Sequence, residues 1–389
     1  MKIGYDFDGV FHKNVSEQDG LGERNFMKDN NLKEFYLILD KIRNEINEKH
    51  EIFIISRGNR QDVIETLDKL FISPLIDRNN IITDLGKKNI LKSQIIKEIG
   101  IDKFYDDSIY NIHEINIERK KNLINSNLEL FLVDPDTDDI KEIKKDNLKI
   151  LTYNLSWHNM ESNPKAPIKE CKEKNLCSSN INNLIQNQLP LDFIFLQEVS
   201  NEKVILKDLK KDFQIIKTVA DKEVQLMLVN KKYEVESTFA SEFEKGRPYL
   251  VVFLKNMICL ISVHMGHDEQ FKRDLKKIEK NIYKVKSPKE MESYRIILGG
   301  DFNQEIGNNI EFCGKNMITQ RKKMTCCVYS THMYKNNSLL KYLKGKNIDH
   351  ILDSLDEPVY ITQVTPLNEK KELQPGSDHL GLYAELKNN

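Results

Sequence analysis

Two sets of polar residues in this chain have the types and spacing that phosphate-ester chemistry requires. In the second half, five separated strand ends each deliver residues able to ligate a hard cation or move a proton: Tyr153-Asn154, Gln197-Glu198, His264, Asp301-Phe302-Asn303 and Ser377-Asp378-His379. Each adjoins an apolar stretch such as Phe193-Ile-Phe-Leu196 or Ile296-Ile-Leu-Gly-Gly300, which places the polar group where a buried strand reaches the surface. Hydrolysis of a phosphodiester needs a hard cation, an activated water and compensation for charge on the phosphoryl oxygens. Glu198 and Asp301 offer oxygen ligands suited to Mg²⁺. His379, beside Asp378, offers an imidazole whose tautomer a carboxylate can fix, and His264 can donate to a non-bridging oxygen or protonate a leaving group. Asn154 and Asn303 add neutral amides that orient phosphate.

The second set opens the chain. Met1-Lys-Ile-Gly-Tyr-Asp-Phe-Asp8 is an apolar strand ending in Asp6 and Asp8, one residue apart. Where a strand ends and the chain turns, Asp6 can attack while Asp8 handles protons. Another apolar run, Glu51-Ile-Phe-Ile-Ile55, ends in the hydroxyl of Ser56; further on come Lys92 and the pair Asp106-Asp107.

Elements that would position these groups follow from the apolar pattern. In the first third, strands at Lys2–Tyr5, Ile52–Ile55 and Leu128–Val133 alternate with helical stretches at residues 32–49, 60–71 and 88–99, which predicts a parallel α/β sheet. The charged, proline-bearing stretch 134–146 predicts a linker. The expected domains are therefore residues 1–140 and 148–388. Beyond the linker, strands become more numerous and a helix is expected over residues 269–285, where Phe271, Leu275, Ile278 and Ile282 recur at helical spacing. That mixture predicts an α/β sandwich.

Composition limits the partners. Lys+Arg 59 against Asp+Glu 60 gives a net charge of −1, so no global positive field attracts a polyanion and any nucleic-acid contact must be local. Gln320-Arg-Lys-Lys323 is one local basic run, and Trp157, the only tryptophan, is a candidate for stacking on a base. Six cysteines lack metal-knuckle spacing, although the adjacent pair Cys326-Cys327 has the form of a redox device; the chain start has no signal-like apolar run. These features predict reduced thiols and an intracellular, soluble protein of cytoplasm or nucleus with no membrane segment. Oligomeric state is not legible.

Taken together, Leu151-Thr-Tyr-Asn154, Phe195-Leu-Gln-Glu-Val199, Ser262-Val-His264, Gly299-Gly-Asp-Phe-Asn303, Ile348-Asp-His-Ile-Leu352 and Ser377-Asp-His379 resemble the ordered motifs of the endonuclease/exonuclease/phosphatase superfamily. That resemblance implies a DNase I-like four-layer α/β sandwich and a metal-dependent hydrolase of ester bonds acting on nucleic acid, DNA or RNA. By the same resemblance Asn154 and Glu198 sit at the metal, Asp301 activates or orients water and Asn303 binds phosphate. His379 acts with Asp349 or Asp378 as its carboxylate partner. His264, or alternatively His267, matches a strand-end histidine of the family, and Arg247 a cleft arginine.

The order Asp-x-Asp, Ser, Lys, Asp-Asp is similar to the haloacid dehalogenase (HAD) phosphohydrolases, which implies a Rossmannoid parallel sheet over the first 140 residues. Asp6 would be the nucleophile, Asp8 the general acid/base and Ser56 a phosphate ligand. Lys92, with Lys88 and Lys97 as alternatives, would neutralise charge, and Asp6, Asp8, Asp106 and Asp107 would surround the cation. Mg²⁺, with Mn²⁺ as the alternative, is the cofactor expected in each domain. The competing expectation is a small phosphorylated or lipid substrate, with the HAD-like half a non-catalytic docking domain.

Overall fold

The computed structural model describes residues 1–7, 10–11, 36–88, 90–134, 139–162, 166, 168–221, 223–243, 246–266, 271–319, 325–326, 346–356, 358–367 and 374–388. The chain forms two compact units, Met1–Asn147 and Leu148–Asn389. Both are α/β.

In the first unit, β-branched and aromatic runs form β1 (Lys2–Tyr5), β2 (Glu51–Ile55), β3 (Ile81–Ile82), β4 (Lys103–Asp106), β5 (Glu129–Asp134) and β6 (Asp139–Glu142). The sheet order is β3-β2-β1-β4-β5-β6. All neighbours are parallel except the β5/β6 pair. Helices Tyr36–Asn47 and Arg60–Lys69 pack Ile38, Leu39, Ile42, Val63 and Leu67 against Ile3, Tyr5 and Ile54 of the sheet. Burial of each such side chain contributes about 1.5–3 kcal/mol. Because β2 and β4 lie on opposite sides of β1, winding reverses there, and the carboxyl ends of β1 and β4 flank the crevice where an open α/β sheet binds ligands.

The expected linker is corrected by β6. Residues 139–142 pair antiparallel with β5, and Ile143 is buried, so this segment completes the first sheet and the unit closes at Asn147. Two isoleucines, Ile140 packed on the core and Ile143, outweigh the flanking charges.

The second unit contains β7 (Leu148–Asn154), β8 (Phe193–Gln197), β9 (Phe213–Ala220), β10 (Glu223–Asn230), β11 (Val235–Glu242), β12 (Pro248–Leu254), β13 (Ile258–His264), β14 (Arg295–Asp301), β15 (Asn309–Phe312), β16 (Lys315–Ile318), β17 (Asp349–Asp353), β18 (Tyr360–Val364) and β19 (Gly381–Leu386). They make two sheets, β18-β19-β7-β8-β10-β9 and β11-β12-β13-β14-β17-β16-β15. An apolar core joins them, with Ile150, Phe195 and Met227 of the first sheet packed among Val252, Leu260, Ile297 and Ile351 of the second. The outer face of the second sheet is covered by helix Phe271–Ile282 through Leu275, Ile278 and Ile282.

Each sheet has one parallel pair at its centre, β7/β8 and β13/β14, and the remaining pairs are antiparallel. Parallel strands end on the same side, so Asn154, Gln197, His264 and Asp301 all emerge at carboxyl ends. Register sharpens this: His264 pairs with Asp301, and Asp301 with Asp349, in one rank across three strands. In-register neighbours bring their side chains within about 5 Å.

Cysteine chemistry also differs from expectation. Cys171 and Cys177 form a disulfide, because the turn Lys169–Lys172 and the start of helix Leu176–Gln188 bring their Cα atoms to 5.3 Å. Cys326 is disulfide-bonded too, while Cys259 and Cys313 are free and buried. Among the described residues, no helix is long and apolar enough to cross a membrane.

Gly300 closes the packing next to the site. Its φ is +140°, and a Cβ there would lie 2.0 Å from the Val263 carbonyl oxygen on the paired strand. Gly300→Ala should therefore destabilise the second unit by about 3 kcal/mol or more. Urea denaturation followed by circular dichroism checks this, and an unchanged midpoint would remove the steric account.

Candidate functional site

Asn154 is the hub of the second unit's cluster. Its amide donates to Glu198 Oε1 at 3.2 Å and to Asp301 Oδ2 at 2.9 Å, while its own oxygen accepts from the Ser156 backbone at 3.0 Å. One planar group thus ties the ends of β7 and β14 to the residue following β8. Both Glu198 and Asn303 adopt left-handed backbone, at φ 51° and 54°. Such conformations are uncommon for non-glycine residues. Asn303 is held by its amide, which donates to the Met265 carbonyl at 2.9 Å, and by its backbone N–H, which donates to Asp301 Oδ1 at 2.7 Å.

On the other side of Asp301 stands the histidine dyad. His379 Nδ1 lies 2.9 Å from Asp349 Oδ2, and its Nε2 lies 3.9 Å from Asp301 Oδ2. Of the two carboxylates that the sequence left open as partners, the structure pairs His379 with Asp349; Asp378 is buried nearby. Burial works to strip charge from His379, but Asp349, then Asp301 and Asp378, outweigh it and raise its pKa to about 10. Asp301, Asp349 and His379 bring ligand atoms within 4.8 Å of one another.

His264 completes the rank. Its Nε2 lies 3.6 Å from Asp301 Oδ2 and 3.8 Å from Glu198 Oε1, and it meets the Arg247 guanidinium. Arg247 also donates to the Met265 carbonyl at 2.7 Å. Burial, reinforced by Arg247 and opposed by Asp301, lowers the His264 pKa to about 4, so the ring is neutral at physiological pH. With arginine donating to Nε2, the ring proton sits on Nδ1 and faces Glu223 Oε1 at 2.5 Å. Both nitrogens are therefore engaged, and the ring orients Arg247 instead of offering a spare donor to substrate.

Glu223 was absent from the sequence-level candidates. It opens β10, and burial raises its carboxyl to about 7 against the pull of Arg247. Thr325 was missed as well: its hydroxyl accepts from the backbone N–H groups of Ile348 and Asp349, and its carbonyl accepts from Leu380. It thereby joins the strand carrying Asp349 to the segment carrying His379. Ser377 adds a third tie, donating to the Asn154 carbonyl at 2.7 Å.

The first unit gathers its own cluster at the carboxyl ends of β1 and β4. Lys92, buried at the start of helix Lys92–Ile99, places Nζ 2.5 Å from Asp6 Oδ2 and 2.8 Å from Asp106 Oδ2. Burial disfavours its charge, but Asp106 and Asp6 together outweigh that and hold the pKa above the ordinary lysine range. Asp6, Asp106 and Asp107 bring ligand oxygens within 4.8 Å of one another. Ser56 is buried directly after β2, its hydroxyl accepting from Gly58 N–H at 2.9 Å. Lys97 is exposed on its helix, so Lys92 is the lysine brought to the cluster. Asp8, His267, Gln320–Lys323, Cys327 and the side chain of Lys88 lie outside the described residues.

No family model matches the chain. It is similar to the uncharacterised protein L684 of Acanthamoeba polyphaga mimivirus, at 30% identity over 272 residues, covering 62% of this chain and 51% of that protein. The chain thus spans about half the length of the curated relative it matches. Among solved structures it is similar to truncated Caenorhabditis elegans TDP2, with a TM-score of 0.43, 16% identity and coverage of 62% of this chain and 98% of that one. D. rerio TDP2 complexed with single strand DNA product gives a TM-score of 0.43 and 14% identity, over 62% of this chain and 100% of that one.

The His379–Asp349 pair carries a pH signature. The folded pKa lies above the unfolded value of about 6.5, so the stabilisation is fully present below that pH and is lost as pH rises through about 10. In EDTA, NMR titration of the imidazole C–H resonances should place the His379 transition near pH 10, and Asp349→Asn should bring it down. A native transition near the ordinary histidine value would contradict the buried ion pair.

Proposed function

We propose that residues 148–388 form a Mg²⁺- or Mn²⁺-dependent phosphodiesterase acting on nucleic acid, with the DNase I-like organisation that the motifs resemble, and that residues 1–140 form a HAD-type phosphatase. The observation that carries the first part is Asn154 holding Glu198 and Asp301 together beside the His379–Asp349 pair. A divalent cation suits this pocket, because its donors are mostly carboxylate oxygens and because the buried Oδ1 atoms of Asp349 and Asp378 have no hydrogen-bond partner among the described residues. Glu198, with Asn154 in support, would hold the cation, which supplies charge compensation to the phosphoryl oxygens.

The chain's own groups account for the rest. Asp301 accepts hydrogen bonds and orients the attacking water. Protonated His379, kept charged by Asp349, stabilises negative charge on the phosphoryl group, and the remaining amide hydrogen of Asn303 is available to a non-bridging oxygen. Arg247, aimed by neutral His264 and through it by Glu223, adds a second positive contact.

In the first unit Asp6 would attack the phosphorus of a monoester, and the alcohol would leave as the aspartyl-phosphate forms; water would then hydrolyse that bond and regenerate Asp6. Lys92 neutralises the crowded carboxylates, Ser56 binds phosphate, and Asp106 and Asp107 suit the cation. Asp8 is assigned the proton transfers on its place in the motif. Linking two phosphoesterases in one chain raises the effective concentration of one product at the next site.

Two measurements test these roles. Glu198→Ala, Asp301→Asn and His379→Ala should each lower Mg²⁺-dependent cleavage of a labelled oligonucleotide by about 10²–10⁴-fold, with EDTA abolishing it; turnover of a soluble inositol phosphate in place of the oligonucleotide would overturn the nucleic-acid assignment. Asp6→Asn should abolish hydrolysis of a generic aryl phosphate by the first unit, and undiminished turnover would end its role as nucleophile.

A further inference from the structure

A groove of about 500 Å³ opens in the second unit between the residues that follow Asn154 and those that follow Glu198. It is lined by Trp157 and Glu161, by a wall of residues from Val199 to Lys203, and by Val224. These positions matter because Val199 directly follows Glu198, Val224 directly follows Glu223, and Trp157 stands three residues after Asn154. The groove is thus built on the same strand ends as the cluster.

Trp157 has one ring face stacked on His158, with centroids 3.8 Å apart, yet 38% of the residue stays exposed. An indole braced by a neighbouring ring and still well exposed is a platform for a flat, polarisable ring. The polar residues around it narrow the choice. Glu161 accepts from the Ser200 hydroxyl at 3.1 Å, and Glu202 pairs with Lys217 at 2.5 Å. Carboxylates repel phosphate but accept hydrogen bonds from exocyclic amino groups. Lys203, on the same wall, is the group suited to a flanking phosphate.

We propose that this groove is a nucleobase subsite: it takes an unpaired, amino-bearing base (adenine, cytosine or guanine) adjacent to the scissile phosphate and stacks it on Trp157. This rests on the phosphodiesterase reading for the neighbouring phosphate, but base binding is measurable without turnover. A base held between two strands of a duplex cannot present its face, so the substrate must be single-stranded or frayed there.

Trp157 is the only tryptophan, so its fluorescence reports the subsite directly. In EDTA, where no cleavage occurs, titration with a short single-stranded oligoadenylate should quench that fluorescence saturably, whereas an abasic strand of equal length should not. Quenching by adenosine monophosphate as strongly as by the oligonucleotide would identify free nucleotides as the source of the base. Equal quenching by the abasic strand, or none by any of the three, would overturn the proposal. With Mg²⁺, Trp157→Ala should raise KM for the oligonucleotide about 5- to 150-fold, with a smaller effect on kcat, and Trp157→Phe should recover most of the loss. If no phosphodiester is cleaved yet base-dependent quenching persists, the catalytic reading fails while the subsite stands.

Discussion

A neutral amide holding two carboxylates is the contact on which the second unit's site depends. Glu198 and Asp301 come from different sheets and repel each other, and nothing in an apolar interface would draw them together. Asn154 can do so because a primary amide has two hydrogens about 120° apart and gives one to each acid. Had an aspartate stood there, a third negative charge would have joined the cluster; a lysine would have competed with any cation for the same oxygens. An amide sets the spacing while leaving the charge in place.

That hub is useful only if the two sheets keep their relative position, and a core of aliphatic side chains does not by itself prevent sliding. Beneath the site lies a directional bolt. Gln197 donates to Thr152 within its own sheet and to Ser262 of the facing one, both at 3.3 Å, and Gln225 donates to the same Ser262 oxygen at 2.8 Å. All four are fully buried. Burying such groups costs stability, the more so because Gln197 Oε1 and Gln225 Oε1 lack partners among the described residues. Each bolt residue sits one or two positions from a site residue, namely Asn154, Glu198, His264 and Glu223. The polar network is therefore best understood as fixing register where register controls chemistry.

This geometry explains what was legible in the residues alone. Asn154, Glu198 and Asp301 could be found because each ends or follows a run of apolar residues, and His379 because it stands just before one, a signal carried within five or six positions. Glu223 gives no such signal. It begins its strand, and it reaches His264 only because β10 runs antiparallel to β8 and so returns its first residue to the rim where Glu198 emerges. Thr325 is invisible for a similar reason, since its contacts are to the backbone of segments 23 and more residues away. Strand β6 was hidden by its charges, because an edge strand needs only one buried face, and Ile140 and Ile143 were too few to show a period. Local patterns reveal the ends of parallel strands; they do not reveal which distant residue an antiparallel return will deliver.

The two units solve the same electrostatic problem in opposite ways. In the first, Lys92 lies within 2.8 Å of both Asp6 and Asp106 and cancels part of their charge internally. A cluster so partnered pulls less strongly on a divalent ion. In the second, the group between the acids is uncharged, and positive charge enters at the periphery through His379 and Arg247. More net negative charge at the centre favours tighter hold on a cation, since affinity for hard ions rises with the number of charged oxygens facing them. The contrast fits the two reactions proposed above. If Asp6 attacks as proposed, an internal cation keeps that carboxylate reactive; if water attacks at the second site, the carboxylates serve best as ligands and proton acceptors, and a neutral spacer leaves them free to do so.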